Sequence, residues 1–322
     1  MPDTTSDSLT ERMSAAQGIH PPGYRLPAET KLGRVSLQVA DLERSLAYYQ
    51  TVLGLRLQER SGNVAVLGAH GDVRPIVELH ARAGATPVPR RGRLGLYHFA
   101  ILLPDRASLG RFIKHLDGLG VHAGMSDHFV SEAIYLSDPD GLGIEVYSDR
   151  PRSLWRYDDR QLFMVTEPLD VPNLIRAAAN ESWMGAPAGT TLGHVHLYVD
   201  DLTAAAKFYH EGLGFDKVVW SYPGALFMSA GGYHHHLGTN TWAAGARRAG
   251  ESDAKMLEWE VLLPSTDQAA EAARSVGSAG AQVVASDEGF RAVDPWGTAL
   301  RIAAPRQSPL VAADHPSVAP VI

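Results

Sequence analysis

Cysteine is absent from all 322 residues. That removes disulfides, thiolate metal sites and cysteine nucleophiles from consideration. A chain with no thiols suits a reducing compartment, and the cytoplasm is the expected location. Long apolar runs are missing too. No stretch approaches the ~18 residues that a membrane-spanning helix needs, so no membrane partner is expected. Positive charge is in short supply: 29 Lys and Arg stand against 36 Asp and Glu, a formal net charge of −7. Without a basic face, nucleic acid is not an expected partner either. The N-terminal MPDTTSDSLTERMSAAQG lacks the basic-then-apolar order of a secretory leader. It reads as a tail, as does SPLVAADHPSVAPVI at the other end.

What is present is a repetition. VADLERSLAYYQTVLGL, starting at Val39, returns 160 residues later as VDDLTAAAKFYHEGLGF, starting at Val199. Each copy runs from an alternating strand into an amphipathic helix. In the first, Val35, Leu37 and Val39 alternate, Asp41 caps, and Leu42, Leu46, Tyr49 and Leu53 form one apolar stripe ending at Gly54. Short β-like segments follow at Val64–Leu67 and Ile76–Leu79. A second unit opens with LGLYHFAILLP at Leu94. It continues with a helix near Ala107–Leu119 and closes with AIYLSDPDGLGIEVY, two strands joined by a turn. A third unit from Leu192 repeats the first, and a fourth from Met256 repeats the second. The expected fold is α+β, four βαβββ modules with curved, cavity-forming mixed sheets. The divisions are a tail (1–29), a two-module domain (30–150), a linker with a short helix near Val171–Ala179 capped by Asp170 (151–190), a second two-module domain (191–306) and a tail (307–322).

The modules differ in their polar residues. The residue seven before the helix cap, and one near the end of the last strand, are placed to face a cavity. Unit one offers Arg34 and Glu78, unit two His98 and Glu145, unit three His194 and one of His234–His236, unit four Glu258 and Arg301. Units two and three together hold the composition of a metal site, two imidazoles and a carboxylate with open positions on the metal. Units one and four hold arginines and glutamates whose charges cancel, in the expected pairs Arg34/Glu258 and Glu78/Arg301. This favours unit two packing on unit three, and unit one on unit four. The alternative closes each half on itself, giving Glu78, His98 and Glu145 in the first and His194, His235 or His236 and Glu258 in the second. Each histidine also has a bland reading, as a satisfied core or loop residue; His196 is read as structural or pocket-lining.

At these residues the chain resembles the vicinal oxygen chelate superfamily, which includes glyoxalase I, methylmalonyl-CoA epimerase and extradiol ring-cleaving dioxygenases. The resemblance covers about Leu32–Tyr147 and Leu192–Pro305 and is strongest to two-domain catechol 2,3-dioxygenase-like proteins. It is carried by GLYHFAILLP, SDHFVSEAIYLSDPDGLGIEVYSDRPRS, LGHVHLYVDDL and GGYHHHLGTNTW. His128, Ile134, Tyr135, Asp138, Pro139, Gly141 and Glu145 match the extradiol signature in order, with Ser126 the one departure. The resemblance implies glyoxalase-like domains, with His98, Glu145 and His194 as ligands of Fe(II), Mn(II) being able to use the same set. It implies His235 as the acid–base histidine, His128 and Tyr135 on the substrate side, and His236 as an alternative facing residue or fourth ligand. Tyr198, Tyr233, Asn240 and Trp242 would line the place of a planar substrate. The function implied is extradiol cleavage of a small aromatic diol with O2, in a protein that admits homo-oligomers through edge-to-edge sheet pairing. A metal-dependent glyoxalase or epimerase, which would want a fourth ligand, and an aromatic-drug-binding resistance protein are the competing readings.

Overall fold

The computed structural model describes residues 17–305; residues 1–16 of the first expected tail, residue 306 and all of the second expected tail, 307–322, lie outside them. Within these residues the strands are β1 (Lys31–Val39), β2 (Arg56–Ser61), β3 (Val64–Gly68), β4 (Pro75–Ala81), β5 (Gly95–Leu102), β6 (Gly124–Asp127), β7 (Ser131–Ser137) and β8 (Gly143–Asp149). They continue with β9 (Tyr157–Asp158), β10 (Gln161–Leu162), β11 (Thr191–Tyr198), β12 (Asp216–Val219), β13 (Ala225–Ser229), β14 (Leu237–Asn240), β15 (Lys255–Leu262), β16 (Val283–Ser286), β17 (Gly289–Val293) and β18 (Ala299–Ala303). The helices are α1 (Leu42–Thr51), α2 (Arg106–Gly118), α3 (Val171–Ala177), α4 (Leu202–Ala205) and α5 (Thr266–Ser278).

Helix starts follow the chemistry of their caps. The side chains of Asp41, Asp105, Asp170, Asp201 and Ser265 each accept a hydrogen bond from a backbone N–H of the first turn. Helix ends follow glycine. Gly54 and Gly214, the repeat partners, take φ of +69° and +98°, and a Cβ at Gly54 would lie 2.6 Å from Trp183 Nε1. The third unit departs from the first: after α4 the chain winds as a π-helix over Ala206–Gly212, where α1 is regular.

Two eight-stranded sheets form, and neither follows one half of the chain. The first runs β16-β17-β18-β15-β1-β4-β3-β2; the second runs β12-β13-β14-β11-β5-β8-β7-β6. Unit one therefore pairs with unit four through antiparallel β1 and β15, and unit two with unit three through antiparallel β5 and β11. That is the arrangement the charge balance favours. Apolar side chains from both sheets and the helices merge into one large core that includes Val35, Leu37, Tyr49, Phe99, Phe112, Tyr209 and Trp259.

In the first sheet, arginines and glutamates fill the face corresponding to the imidazoles of the second. The pairing differs from the expected one. Arg34 meets Glu78 at 2.9 Å and Arg301 meets Glu258 at 2.6 Å, each within its own unit, while Glu260 lies 3.5 and 3.7 Å from the two arginines. Register explains it. Parallel β1–β4 and β15–β18 seat the partners on adjacent strands, Ser36 level with Glu78 and Glu260 level with Arg301.

The connection after β8 straps the open side of the second sheet. Asp127, at the end of β6, exchanges two backbone hydrogen bonds with Glu167. At the opposite edge, Gln161 Oε1 accepts from the backbone N–H of Trp220 and Ser221, just beyond β12. Residues 17–30 drape on the same edge: Ile19 bridges to Lys217, and Arg25 grips Asp216 at 2.7 Å.

Candidate metal centre

Register brings the histidines together. On the second sheet His194 pairs with Ala100 and His196 with His98, while Ala100 is level with Glu145. Facing residues on neighbouring strands share a face, as do residues two apart on one strand. His98, Glu145, His194 and His196 therefore stand on one face.

One ligand atom from each of His98, Glu145 and His194 lies within 4.8 Å of the others, and all three residues are buried. His98 Nε2 is 3.1 Å and His194 Nε2 3.2 Å from the same oxygen, Glu145 Oε2. The His194 contact is aligned as a hydrogen bond. The His98 contact is not, so both ring nitrogens of His98, and Nδ1 of His194, are buried without a hydrogen-bond partner. Buried polar atoms are ordinarily satisfied, so an unpaired His98 Nε2 beside a carboxylate that also meets His194 Nε2 fits a divalent cation. Burial lowers His194 to about 4. Burial works to raise the Glu145 carboxyl, but the adjoining His194 and His98 outweigh it and hold it well below the usual range. At neutral pH the set is thus a carboxylate with a neutral imidazole, the form in which such ligands bind metal.

Around the triad the other expected residues divide. Tyr135, on β7 opposite Glu145, lies 5.6 Å from His98 between ring centroids. Its hydroxyl is 2.7 Å from His128 Nε2, and His128 Nδ1 is 2.6 Å from the Val165 carbonyl. Since a carbonyl only accepts, Nδ1 carries the proton and Nε2 accepts from Tyr135. Burial raises Tyr135 well above its ordinary value, so it remains a donor. His235 lies 4.1 Å from His194, ring to ring, and burial takes its pKa well below the ordinary value. His236 turns away: its Nδ1 accepts from the Ala230 N–H and its ring stacks on Phe215. Strand alternation alone would have chosen His236, which shares parity with Gly238 and Asn240. The chain is irregular there and reaches β14 only at Leu237, so the parity does not carry back.

Tyr198 and Trp242 stand where an aromatic wall is expected, 4.7 and 5.7 Å from Tyr97. Asn240 is spoken for: its Nδ2 donates to His196 Nε2 at 2.9 Å and its Oδ1 accepts from the Trp242 N–H. Tyr233 sits behind the site, its hydroxyl 2.6 Å from Tyr147 Oη and donating to Asp149. Two residues escaped the sequence reading, Tyr97 and Tyr147, and a third, His234, was given no role. Tyr97 should point away from the His98 face, but a bulge places it opposite the step from His196 to Leu197 and brings its ring 4.6 Å from His98. Tyr147, two residues beyond Glu145, backs His194 at 4.9 Å; strand alternation from Glu145 would have found it. His234, fully buried, joins Asp149 to His235 at 2.8 Å on each side. The HHH run marked it as a candidate but gave no role.

Known proteins resemble this chain in sequence and in fold. Residues 31–146 and 191–292 match the family described as Glyoxalase/Bleomycin resistance protein/Dioxygenase superfamily. The chain is 42% identical over 271 residues to a catechol-2,3-dioxygenase of Bacillus subtilis, covering 83% of this chain and 94% of that one. Among solved structures, a proposed dioxygenase of Bacillus subtilis superposes with a TM-score of 0.62 at 14% identity, covering 88% and 87% of the two chains. Glyoxalase I of Zea mays superposes at 0.52 with 17% identity, covering 85% and 92%. These two likenesses speak for the fold. By family match and by relatedness over most of its length, the chain belongs to the glyoxalase/bleomycin resistance protein/dioxygenase superfamily, as a catechol-2,3-dioxygenase homologue.

Proposed function

We propose that the chain cleaves the ring of a catechol-type diol beside its two hydroxyls, using O2 and Fe(II) held by His98, Glu145 and His194. The observation that carries this reading is the buried triad, in which Nε2 of His98 and of His194 meet one carboxylate oxygen and the His98 ring has no hydrogen-bond partner. Two histidines and a carboxylate would hold a divalent ion from one face, and such an ion would supply Lewis acidity and reactivity toward oxygen. Mn(II) takes the same donors. The placement of His236 against Phe215 supports a three-ligand centre over the four-ligand isomerase alternative.

The chain's own residues supply the rest. His235, a neutral imidazole beside His194, can take a proton from a bound diol and return it later. Tyr135, whose hydroxyl rests against His128 Nε2, would turn its one proton from that nitrogen to a developing oxyanion. Tyr97, Tyr198 and Trp242 present ring faces to a planar substrate. A cytoplasmic site of action is in keeping with a chain free of cysteine; among the described residues no helix is long and apolar enough to cross a membrane. The outer strands of the first sheet, β2 and β16, offer edges on which a second copy could pair.

Anaerobic purification followed by metal analysis and oxygen uptake tests the proposal. Wild type should hold about one iron per chain, consume O2 with catechol and form a yellow ring-fission product in air but not under argon. His98→Ala and His194→Ala should each lose the metal and the activity. Turnover under argon with Zn, Ni or Co would move the chain to the isomerase class.

A further inference from the structure

We propose that Asp149 and His234 form a buried hydrogen-bond relay that fixes the tautomer and orientation of His235. They are positioning residues, acting on the substrate only through that ring. The inference rests on the reading of His235 as the acid–base group.

Each link leaves little choice. Asp149 Oδ1 is 2.8 Å from His234 Nε2, and a carboxylate only accepts, so Nε2 of His234 carries a proton. Nδ1 of a neutral His234 is then a bare lone pair. It lies 2.8 Å from Nδ1 of His235, so with a single proton on the His234 ring that atom is the donor. The proton of His235 is thereby committed to Nδ1, and Nε2 is left unprotonated. No hydrogen-bond partner for that Nε2 is found among the described residues, and the ring stands 4.1 Å from His194. A general base needs this state: one nitrogen anchored, the other bare and turned toward the reacting atoms.

The surroundings hold the relay in place. His234 is fully buried, its ring 4.1 Å from Tyr233, 5.5 Å from Trp155 and 5.8 Å from Tyr147. Tyr233 donates to the same Asp149 oxygen at 3.1 Å and lies 2.6 Å from Tyr147 Oη, which fixes the carboxylate in turn. Asp149 closes β8 and is part exposed, with 30% of its side chain open, whereas His234 and His235 lie within. One strand thus supplies a metal ligand, Glu145, and four residues on supplies the anchor for the acid–base group.

The test reads nitrogen protonation directly. The full chain, labelled with 15N-histidine and loaded with diamagnetic Zn(II), would be examined by long-range 1H–15N NMR near pH 7.5. Wild type should show His234 protonated at Nε2 and His235 at Nδ1. In Asp149→Ala, His235 should become a mixture of tautomers. His234→Asn, which keeps an acceptor at the position of Nδ1, should preserve the His235 tautomer; His234→Phe should not. With Fe(II) and catechol, Asp149→Ala and His234→Phe should lose on the order of 10- to 100-fold in kcat, with KM nearly unchanged. His234→Asn should stay within about threefold. A doubly protonated His234 in wild type, or an unchanged His235 tautomer in both Asp149→Ala and His234→Phe, overturns the relay. If Asp149→Ala does not fold, the two His234 variants decide. Should catechol prove not to be a substrate, the NMR result still stands alone, so failure of the activity and failure of the relay are told apart.

Discussion

Tyr135 and His128 show how far a single residue's chemistry can be read. Their spacing within the extradiol signature marked them as a substrate-side pair, and the structure adds the direction of the hydrogen bond. Because His128 spends its Nδ1 proton on Val165, the phenol is the donor. Tyr135→Phe should keep its metal, since Tyr135 is not in the triad, yet lose about 100-fold in kcat. Iron content together with steady-state oxygen uptake would check both halves. Gly238 is the second informative position. A Cβ there would sit 2.8 Å from the His196 ring, which Asn240 pins at 2.9 Å. Gly238→Ala should push that ring toward Tyr97 and Trp242, raising KM for catechol several-fold at unchanged iron content. An unaltered KM would show that His196 and the aromatic wall are not coupled.

Among the elements, the turn joining β7 and β8 deserves its own measurement. Asp138 Oδ1 accepts from the N–H groups of Asp140 and Leu142, and Tyr49 Oη donates to its Oδ2. Asp294 repeats the arrangement before β18, with Trp296, Thr298 and Tyr209 as donors. Burial outweighs these bonds and raises each carboxyl to about 6. A carboxyl raised in the folded state contributes its stability below its unfolded pKa near 4 and loses it as pH climbs through 6. Each turn should therefore give up on the order of 3 kcal/mol across that window. Thermal unfolding from pH 4 to 6.5 should show wild type losing ground to the Asp138→Asn/Asp294→Asn variant. Equal slopes in the two proteins would refute it. The capping aspartates, the apolar stripe of α1 and the turn itself were legible because each is a local pattern. The strand β2, with the sequence RLQERS, was missed because it is an exposed edge with no apolar alternation. Tyr97 was not legible because a bulge is a property of two paired strands, and one strand's sequence does not contain it. The choice between His235 and His236 likewise hung on where β14 starts.

At the scale of the molecule, the pairing of modules was the favoured of two readings, since imidazoles and carboxylate gathered in one pair and arginines with glutamates in the other. The partners within the arginine–glutamate network were not, because register decides them. The centre draws His98 and Glu145 from the first half of the chain and His194 from the second. An ion bound there ties the halves together, and binding to the folded state alone stabilises by about 2.7 kcal/mol at a hundredfold excess over Kd. A chelator should therefore lower the Tm of wild type by on the order of 5 °C and leave that of His98→Ala unmoved. Scanning calorimetry with and without the chelator would show it.

The interleaved sheets also set an order of events during synthesis. When residue 150 leaves the ribosome, β1 and β5 are complete, but the strands that flank them, β15 and β11, have not been made. Two inner edges of backbone donors and acceptors must wait, open to other chains, until the second half arrives. The nascent first half is thus the stage at which this protein most needs a chaperone, and crowding by unfinished copies is its natural route to aggregation.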